Sequence, residues 1–289
     1  MGTKGAYPTW SDMLALLGVF VVITVIAGLV FPLLVRSGSI SEGFSMFLSY
    51  TVQFGVTIIY ALYIKRLRTG GQKLLRFGFG KVNPAIILWG LVMLCATTLV
   101  IEPLLDLLPS ELLDMLNQQM GKGGWMMLTA VAMAPLCEEI LFRGILQDSL
   151  TRKFGPWRGI LIASAIFGVV HIVPQQVINA FFVGIVLGYI YYRTQSLIPV
   201  IIIHALNNAI SYFTWMIGGE KLTSTRQLIG NDTLYYIVYG IAWIVFLIAF
   251  FTIARTITRD QRKGLPLPEN ETAATDGKVS GESNNINPD

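Results

Sequence analysis

Charged residues are scarce in this sequence: Asp, Glu, Lys and Arg make up 13% of its 289 residues, and apolar residues make up 54%. Soluble domains carry roughly 25% charged residues. This low content, together with a mean hydropathy of +0.62, argues against an ordinary soluble domain and favours a protein that crosses a membrane several times. The net charge is only +4 and the basic residues form no patch with interleaved aromatic residues, so nothing indicates nucleic-acid binding.

Cysteine and histidine are also rare, with two residues of each type. Cys95 and Cys137 lie in apolar runs and lack CxxC spacing, which argues against a disulfide framework or a cysteine-ligated metal site. His171 and His204 are too far apart to form an HExxH motif, so the helix that carries zinc in many metalloproteases is missing.

Long uncharged runs predict an all-α, polytopic transmembrane bundle of about eight spans, because one span needs about 20 apolar residues. Six spans are predicted at residues 13–35, 43–64, 82–101, 123–150, 194–219 and 233–254. A further 34 residues, 159–192, carry no Lys, Arg, Asp or Glu. This run is long for one span and short for two, so we divide it at Pro174 into a short fifth span and a sixth span.

The distribution of basic residues predicts the orientation, since cytoplasmic loops are enriched in Lys and Arg. With eight spans and both termini in the cytoplasm, 17 of the 21 basic residues lie inside. Only Arg36, Lys122, Lys221 and Arg226 then lie outside. The sequence thus predicts an integral, multi-pass protein of the cell membrane whose first apolar run is retained as a helix.

Four regions are predicted along the chain. Residues 1–122 hold the first three transmembrane helices, residues 123–215 a catalytic core, residues 216–256 a C-terminal transmembrane helix, and residues 257–289 a disordered cytoplasmic tail. From about Leu265 the tail is rich in Pro, Asn, Glu, Gly, Ser and Thr, a composition that cannot bury enough apolar surface to fold. In the sixth span, Gly184 and Gly188 form a small-xxx-small pair that favours close helix packing.

Two glutamates and an arginine interrupt the apolar fourth span. Glu139 and Arg143 are separated by four residues, so a helix brings them to one face, where they can form a structural ion pair. Glu138 points in another direction and is left as the candidate chemical group. The alternative is a buried ion network that only holds helices together. Ionisable residues within a membrane span point to function by default.

Three further polar residues extend this pattern to other spans. His171 lies one turn after Phe167, late in the fifth span, and His204 and Asn208 share a face of the seventh. Each has a structural alternative, as a histidine satisfied by a carbonyl or as a polar pair that joins helices. Glu138, His171 and His204 lie ten to twelve residues from the predicted inner ends of their spans, roughly 15–18 Å deep. The three helices are therefore predicted to enclose one cavity.

Three motifs in this order resemble those of the CPBP family: Glu138-Glu139-xxx-Arg143, Phe167-xxx-His171 and His204-xxx-Asn208. This family comprises the type II CAAX prenyl endopeptidases and the bacteriocin-processing or self-immunity (Abi) proteins. The resemblance implies an intramembrane endopeptidase that acts on a peptide or protein in or at the lipid bilayer. Prenylated C-terminal motifs are the substrates of the eukaryotic branch, so the substrate itself does not follow.

The resemblance also implies roles for individual residues. Glu138 and His171 would act on water, and His204 and Asn208 would lie near the oxyanion. No cofactor is favoured. If zinc is bound, its ligands would be His171, His204 and either Glu138 or Glu139. A glutamate that binds zinc is not free to act as a base or to pair with Arg143, so we predict metal-independent hydrolysis, with zinc as the alternative.

Three other functions remain open from the sequence. A non-catalytic immunity or scaffold protein could share the fold. A proton-coupled transporter would also use buried Glu and His residues, although the paired interrupted helices of inverted repeats are not evident. A cysteine protease that uses Cys137 would need a histidine partner for its thiolate, and the sequence offers no evident one.

Overall fold

The computed structural model describes residues 7–70, 74–78, 82–109, 111–112, 121, 123–218 and 224–262. In this part of the chain all regular elements are helices: α1 Trp10–Arg36, α2 Glu42–Thr69, α3 Pro84–Leu105, α4 Gly124–Phe154, α5 Pro156–Val169, α6 Pro174–Thr194, α7 Leu197–Gly218, α8 Thr225–Ile229 and α9 Asp232–Arg262. The last helix continues six residues past the predicted start of the tail, and the rest of that tail lies outside the described residues.

Seven helices in the described part are long and apolar enough to cross a membrane. The helix α5 has 14 residues, about 21 Å, and falls short of the roughly 30 Å of hydrocarbon in a bilayer. The prediction of an all-α bundle with about eight spans is confirmed, with α5 too short to cross by itself. The short helix α8 was not predicted.

Proline and glycine set the boundaries around α5. Pro156 and Pro174 each begin a helix, where the missing N–H of proline leaves no intrahelical bond unmade. The division predicted at Pro174 is therefore correct. Gly155 alone connects α4 to α5 and has φ +83°, a conformation that glycine adopts without steric cost. The chain thus reverses direction within one residue, and α4 and α5 pack side by side.

The helix α4 is the centre of the bundle, because it contacts α2, α5, α6 and α7. Apolar residues of α1, α2, α4 and α5 form one core, and residues of α3, α6, α7 and α9 form a second. The outer helices α1 and α9 bury little of their apolar surface inside the protein. That leaves apolar faces suited to lipid on the periphery, and the polar residues of α4 in the interior.

The two glycines of the predicted packing motif lie at close helix contacts. A Cβ atom on Gly184 would come within 2.9 Å of the Ser164 side chain on α5. A Cβ atom on Gly188 would come within 2.7 Å of the Gln147 side chain on α4, and Gln147 donates to the Gly188 carbonyl at 2.7 Å. The close packing predicted for this pair is confirmed, and it fixes α6 against both neighbours.

Candidate active site

The helix α4 changes its geometry twice around the two glutamates. Residues Thr129–Met133 and Glu139–Gln147 are π-helical, and Ala134–Glu138 between them is α-helical. Short π-helical stretches within a helix occur frequently at functional sites. Regular α-helical spacing was predicted throughout this span, and that prediction is wrong. The two glutamates lie at the junction, with Glu138 ending the α-helical stretch and Glu139 beginning the second π-helical one.

Glu139 accepts hydrogen bonds from one residue of its own helix and from one residue of α7. Arg143 Nη1 lies 2.8 Å from Glu139 Oε1, and His204 Nδ1 lies 2.7 Å from the same oxygen. The residues are 0% (Glu139), 1% (Arg143) and 4% (His204) exposed. The contact expected from the four-residue spacing is present, and Glu139 also holds the histidine of α7. Glu139 therefore links the ion pair directly to the ring of a predicted site residue.

Glu138 has a different set of neighbours and is 7% exposed. The hydroxyl of Tyr50, on α2, donates to Glu138 Oε1 at 2.7 Å. The other carboxylate oxygen, Oε2, lies 3.7 Å from His204 Nε2. Tyr50 was missed in the sequence analysis, because it is one aromatic residue in an apolar span and no local pattern connects it with a residue 88 positions away.

His171 lies just past the end of α5, in the turn that leads to α6, rather than within the helix as predicted. Its Nδ1 lies 2.8 Å from the carbonyl oxygen of Phe167. The next residue, Ile172, has φ +65°, which is a strained conformation for a β-branched residue. Such strain is concentrated at functional sites, and here it shapes the turn that carries the histidine.

Phe167 packs against three polar side chains of the site. Its ring centroid lies 4.4 Å from the guanidinium carbon of Arg143, a distance that allows a cation–π interaction. The rings of His171 and His204 meet it nearly perpendicularly, at centroid distances of 4.9 and 6.1 Å. Phe167 is 1% exposed, so it is a fixed apolar surface that orients both histidines.

Asn208 completes the helical geometry of α4. In the π-helical stretch Thr129–Met133, a carbonyl bonds the N–H five residues later, and for Ala130 that residue is Pro135, which has no N–H. Asn208 Nδ2 donates to the Ala130 carbonyl at 3.0 Å instead. This contact joins α7 to α4 and uses one of the two hydrogens on Nδ2, so the second hydrogen remains for another acceptor.

One cavity of about 300 Å³ brings the predicted residues together. Glu138, His171, His204 and Asn208 all line it, with Tyr50 and Phe167. Further polar residues of the wall were not predicted, among them Gln176, Asn179, Asn207 and Ser211. Their signal was present, because on α6 and α7 they are spaced three or four residues apart, as is expected for one face of a helix. Glu139 and Arg143 are fully buried behind the wall.

The two histidines are held in a similar way. Each has Nδ1 within hydrogen-bond distance of an oxygen that can only accept, the Phe167 carbonyl for His171 and the Glu139 carboxylate for His204. Nδ1 therefore carries a proton in both rings. In a neutral ring this leaves the lone pair on Nε2, which can accept a hydrogen bond from water.

The residues present do not fit a zinc ion as they are arranged. A catalytic zinc usually takes three protein ligands, and no three His, Cys, Asp or Glu side chains of the described ranges are grouped to hold a metal. Oxygens of Glu138 and Glu139 already accept hydrogen bonds from Tyr50, Arg143 and His204.

A comparison with protein families matches residues 121–210 to the family described as type II CAAX prenyl endopeptidase Rce1-like. No curated protein and no solved structure gave a match. The predicted resemblance to CAAX-type intramembrane proteases is confirmed for this segment, which includes every predicted site residue. The segment is related to peptidases. The seven long apolar helices of the described residues make the chain an integral, multi-pass membrane protein.

Proposed function

We propose that this protein is an intramembrane endopeptidase that hydrolyses a peptide bond of a membrane-associated peptide or protein, with Glu138 as the base that activates water. One observation carries the proposal: Glu138 on α4, His171 in the turn after α5, and His204 and Asn208 on α7 all line one cavity. The family match of residues 121–210 supports the same class of reaction.

The first step is attack by water on the scissile carbonyl. His171 Nε2 accepts a hydrogen bond from the water, and Glu138 takes a proton from it. The resulting hydroxide attacks the carbonyl carbon, and the carbonyl oxygen becomes a tetrahedral oxyanion. A carboxylate is a common general base, and such proton transfer contributes typically about 10²–10⁴-fold to a rate.

The oxyanion is stabilised by His204 and Asn208. Asn208 donates the Nδ2 hydrogen that Ala130 does not use. His204 must carry both ring protons to donate from Nε2, and the Glu139 carboxylate, 2.7 Å from its Nδ1, supplies the opposite charge after Glu138 has taken the proton from water. Removing one oxyanion donor typically costs about 10²–10³-fold in rate.

The last step breaks the carbon–nitrogen bond. The tetrahedral intermediate collapses, and Glu138 gives the proton it took from water to the leaving amine. One product carries the new carboxyl group and the other the new amino group, and Glu138 returns to the carboxylate form. Arg143 holds the Glu139 carboxylate in place and thereby keeps His204 oriented throughout the cycle.

The orientation that we propose has both termini in the cytoplasm. Asp12 near the start of α1 pairs with Arg68 at the end of α2, at 3.1 Å, and Asn83 before α3 donates to Asp260 near the end of α9, at 2.7 Å. The first and last helices therefore have their outer ends at one end of the bundle, where Lys65, Lys153 and Arg193 also bond to neighbouring parts of the chain. Reporter fusions after residues 219 and 263 test this, with an external signal at 219 and an internal one at 263 expected.

A comparison of membrane peptides tests the proposed activity. Cells that express the wild-type protein and cells that express Glu138→Gln are analysed by mass spectrometry of their membrane and secreted peptides. We expect products with new termini only in the wild-type cells. Identical peptide profiles at equal protein levels would contradict the proposal and would favour a non-catalytic role.

A further inference from the structure

Tyr50 brings α2 into the wall of the active-site cavity. Of the described residues that line the cavity, it alone comes from α2, and it lies before the segment 121–210 that matches the family. Its hydroxyl donates to Glu138 Oε1 at 2.7 Å. The proposed reaction uses Glu138 but gives this tyrosine no role. The residue that acts on water is thus held by a helix outside the matched segment.

The ring of Tyr50 is fixed by neighbouring aromatic residues. Phe54, four residues later and therefore on the same face of α2, stacks on it with a centroid distance of 4.5 Å and an interplanar angle of 18°. Phe54 is 4% exposed, and the ring of Phe20 on α1 meets it edge-on at a centroid distance of 5.6 Å. Both arrangements of aromatic rings are favourable. The stacked ring holds the Tyr50 hydroxyl in place beside Glu138.

The hydrogen bond makes the two oxygens of Glu138 unequal. A neutral phenol has one hydrogen to donate, and in Tyr50 this hydrogen is directed to Oε1. The other oxygen, Oε2, lies 3.7 Å from His204 Nε2, and both of these residues line the cavity. A proton added to Oε1 would weaken the bond from Tyr50, because a protonated oxygen is a poorer acceptor. A proton added to Oε2 leaves that bond intact.

We infer that Tyr50 is a positioning residue, which occupies Oε1 of Glu138 and leaves Oε2 to take the proton from water and return it to the leaving amine. Tyr50 keeps its own proton throughout, so it acts through Glu138 and not on the substrate. This inference rests on the proposed function, because it concerns the base of that reaction. It adds α2 to the elements that the reaction requires.

The contact itself can be tested without a substrate, by infrared spectroscopy. The difference spectrum between a protein and its Glu138→Gln variant isolates the carboxylate bands of Glu138. This spectrum is recorded for the wild type and for Tyr50→Phe, which keeps the stacked ring and removes only the hydroxyl. We expect the bands to shift in Tyr50→Phe, because the carboxylate has lost a hydrogen bond. Bands at the wild-type position would overturn the inference.

Tyr60→Phe is the matched control. Tyr60 lies ten residues further along α2 and packs against the apolar core formed by α1, α2, α4 and α5, but it does not line the cavity. Its substitution also removes one hydroxyl from the same helix. We expect the carboxylate bands of Glu138 and the cleavage rate to remain at the wild-type values in this variant.

The role in the reaction is tested by kinetics. The probe is an internally quenched peptide that spans a cleavage site found in the membrane-peptide comparison, and rates are compared for equal amounts of folded protein. A misplaced catalytic group can cost about 10²-fold, so we expect kcat of Tyr50→Phe to fall by roughly that factor. KM should stay near the wild-type value, because Tyr50 does not bind the substrate in this account.

A double-variant cycle separates positioning from support of the fold. Because Tyr50 acts through Glu138, adding Tyr50→Phe to Glu138→Gln should change the residual rate little. A residue that only supports the fold would lower the rate by the same factor in both backgrounds. That result, or an unchanged kcat in Tyr50→Phe, would refute the positioning role. Wild-type cleavage by Glu138→Gln would instead contradict the proposed function itself.

Discussion

His204 donates its Nδ1 proton to Glu139 at 2.7 Å, and this contact changes the role assigned to the second glutamate. From the sequence, Glu139 was expected only to pair with Arg143. In the structure the same carboxylate oxygen accepts from both residues. The ion pair and the histidine therefore form one chain of contacts, in which Arg143 fixes Glu139 and Glu139 fixes the tautomer and orientation of His204.

The substitution Arg143→Ala should lower the stability of the protein strongly. It leaves the carboxylate of Glu139, which is 0% exposed, without its arginine partner, and removing one partner of a buried pair typically costs about 3–5 kcal/mol. The loss is measured by denaturant unfolding in detergent. The control is Arg152→Ala: this arginine pairs with Asp148 at the same four-residue spacing, but its side chain is 38% exposed, so a loss under about 1 kcal/mol is expected. Equal losses would argue against a buried ion pair.

The substitution Gly184→Ala tests the contact between α5 and α6. The added Cβ would lie 2.9 Å from the side chain of Ser164, and overpacking of this kind typically costs about 1–3 kcal/mol. The melting temperature should therefore fall. In Gly240→Ala, on α9, nothing lies within 4 Å of the added atom, and an alanine within a helix is favoured over glycine, so its melting temperature should be unchanged or higher. The reverse order would contradict the packing.

Metal dependence follows from the mechanism and can be measured directly. Because the proposed steps use only side chains, a chelator should leave the cleavage rate unchanged, and elemental analysis of active protein should find far less than one zinc per chain. Stoichiometric zinc, with activity lost on chelation and restored only when zinc is added back, would defeat the metal-independent reaction. It would favour His171, His204 and a glutamate as ligands.

The sequence predicted the helical bundle well, because span length and the scarcity of charge are imposed by the bilayer itself. It also predicted that Glu138, His171, His204 and Asn208 come together, but it did not identify the polar residues of α6 and α7 that share their cavity. It did not predict the π-helical stretches of α4. In the first of them, Asn208 bonds the Ala130 carbonyl that Pro135 cannot bond, a contact between residues far apart in the chain.

Tyr50 and the turn at His171 show the other limit of sequence reasoning. A tyrosine in an apolar span has no local feature that distinguishes a hydrogen bond to Glu138 from contact with lipid. The positive φ of Ile172 depends on how α5 and α6 pack, so the sequence placed His171 within the helix. Helix spacing predicts which residues share a face, but not the neighbour that each face meets.

In the proposed reaction, Glu138 activates the water that hydrolyses the peptide bond. The most direct measurement is the rate at which purified protein in lipid vesicles cleaves a peptide identified from the membrane-peptide comparison, for the wild type, Glu138→Gln and Cys137→Ala at equal folded amounts. We expect Glu138→Gln to lose about 10²-fold or more and Cys137→Ala to retain the wild-type rate. Wild-type cleavage by Glu138→Gln, or loss of cleavage only in Cys137→Ala, would contradict the account.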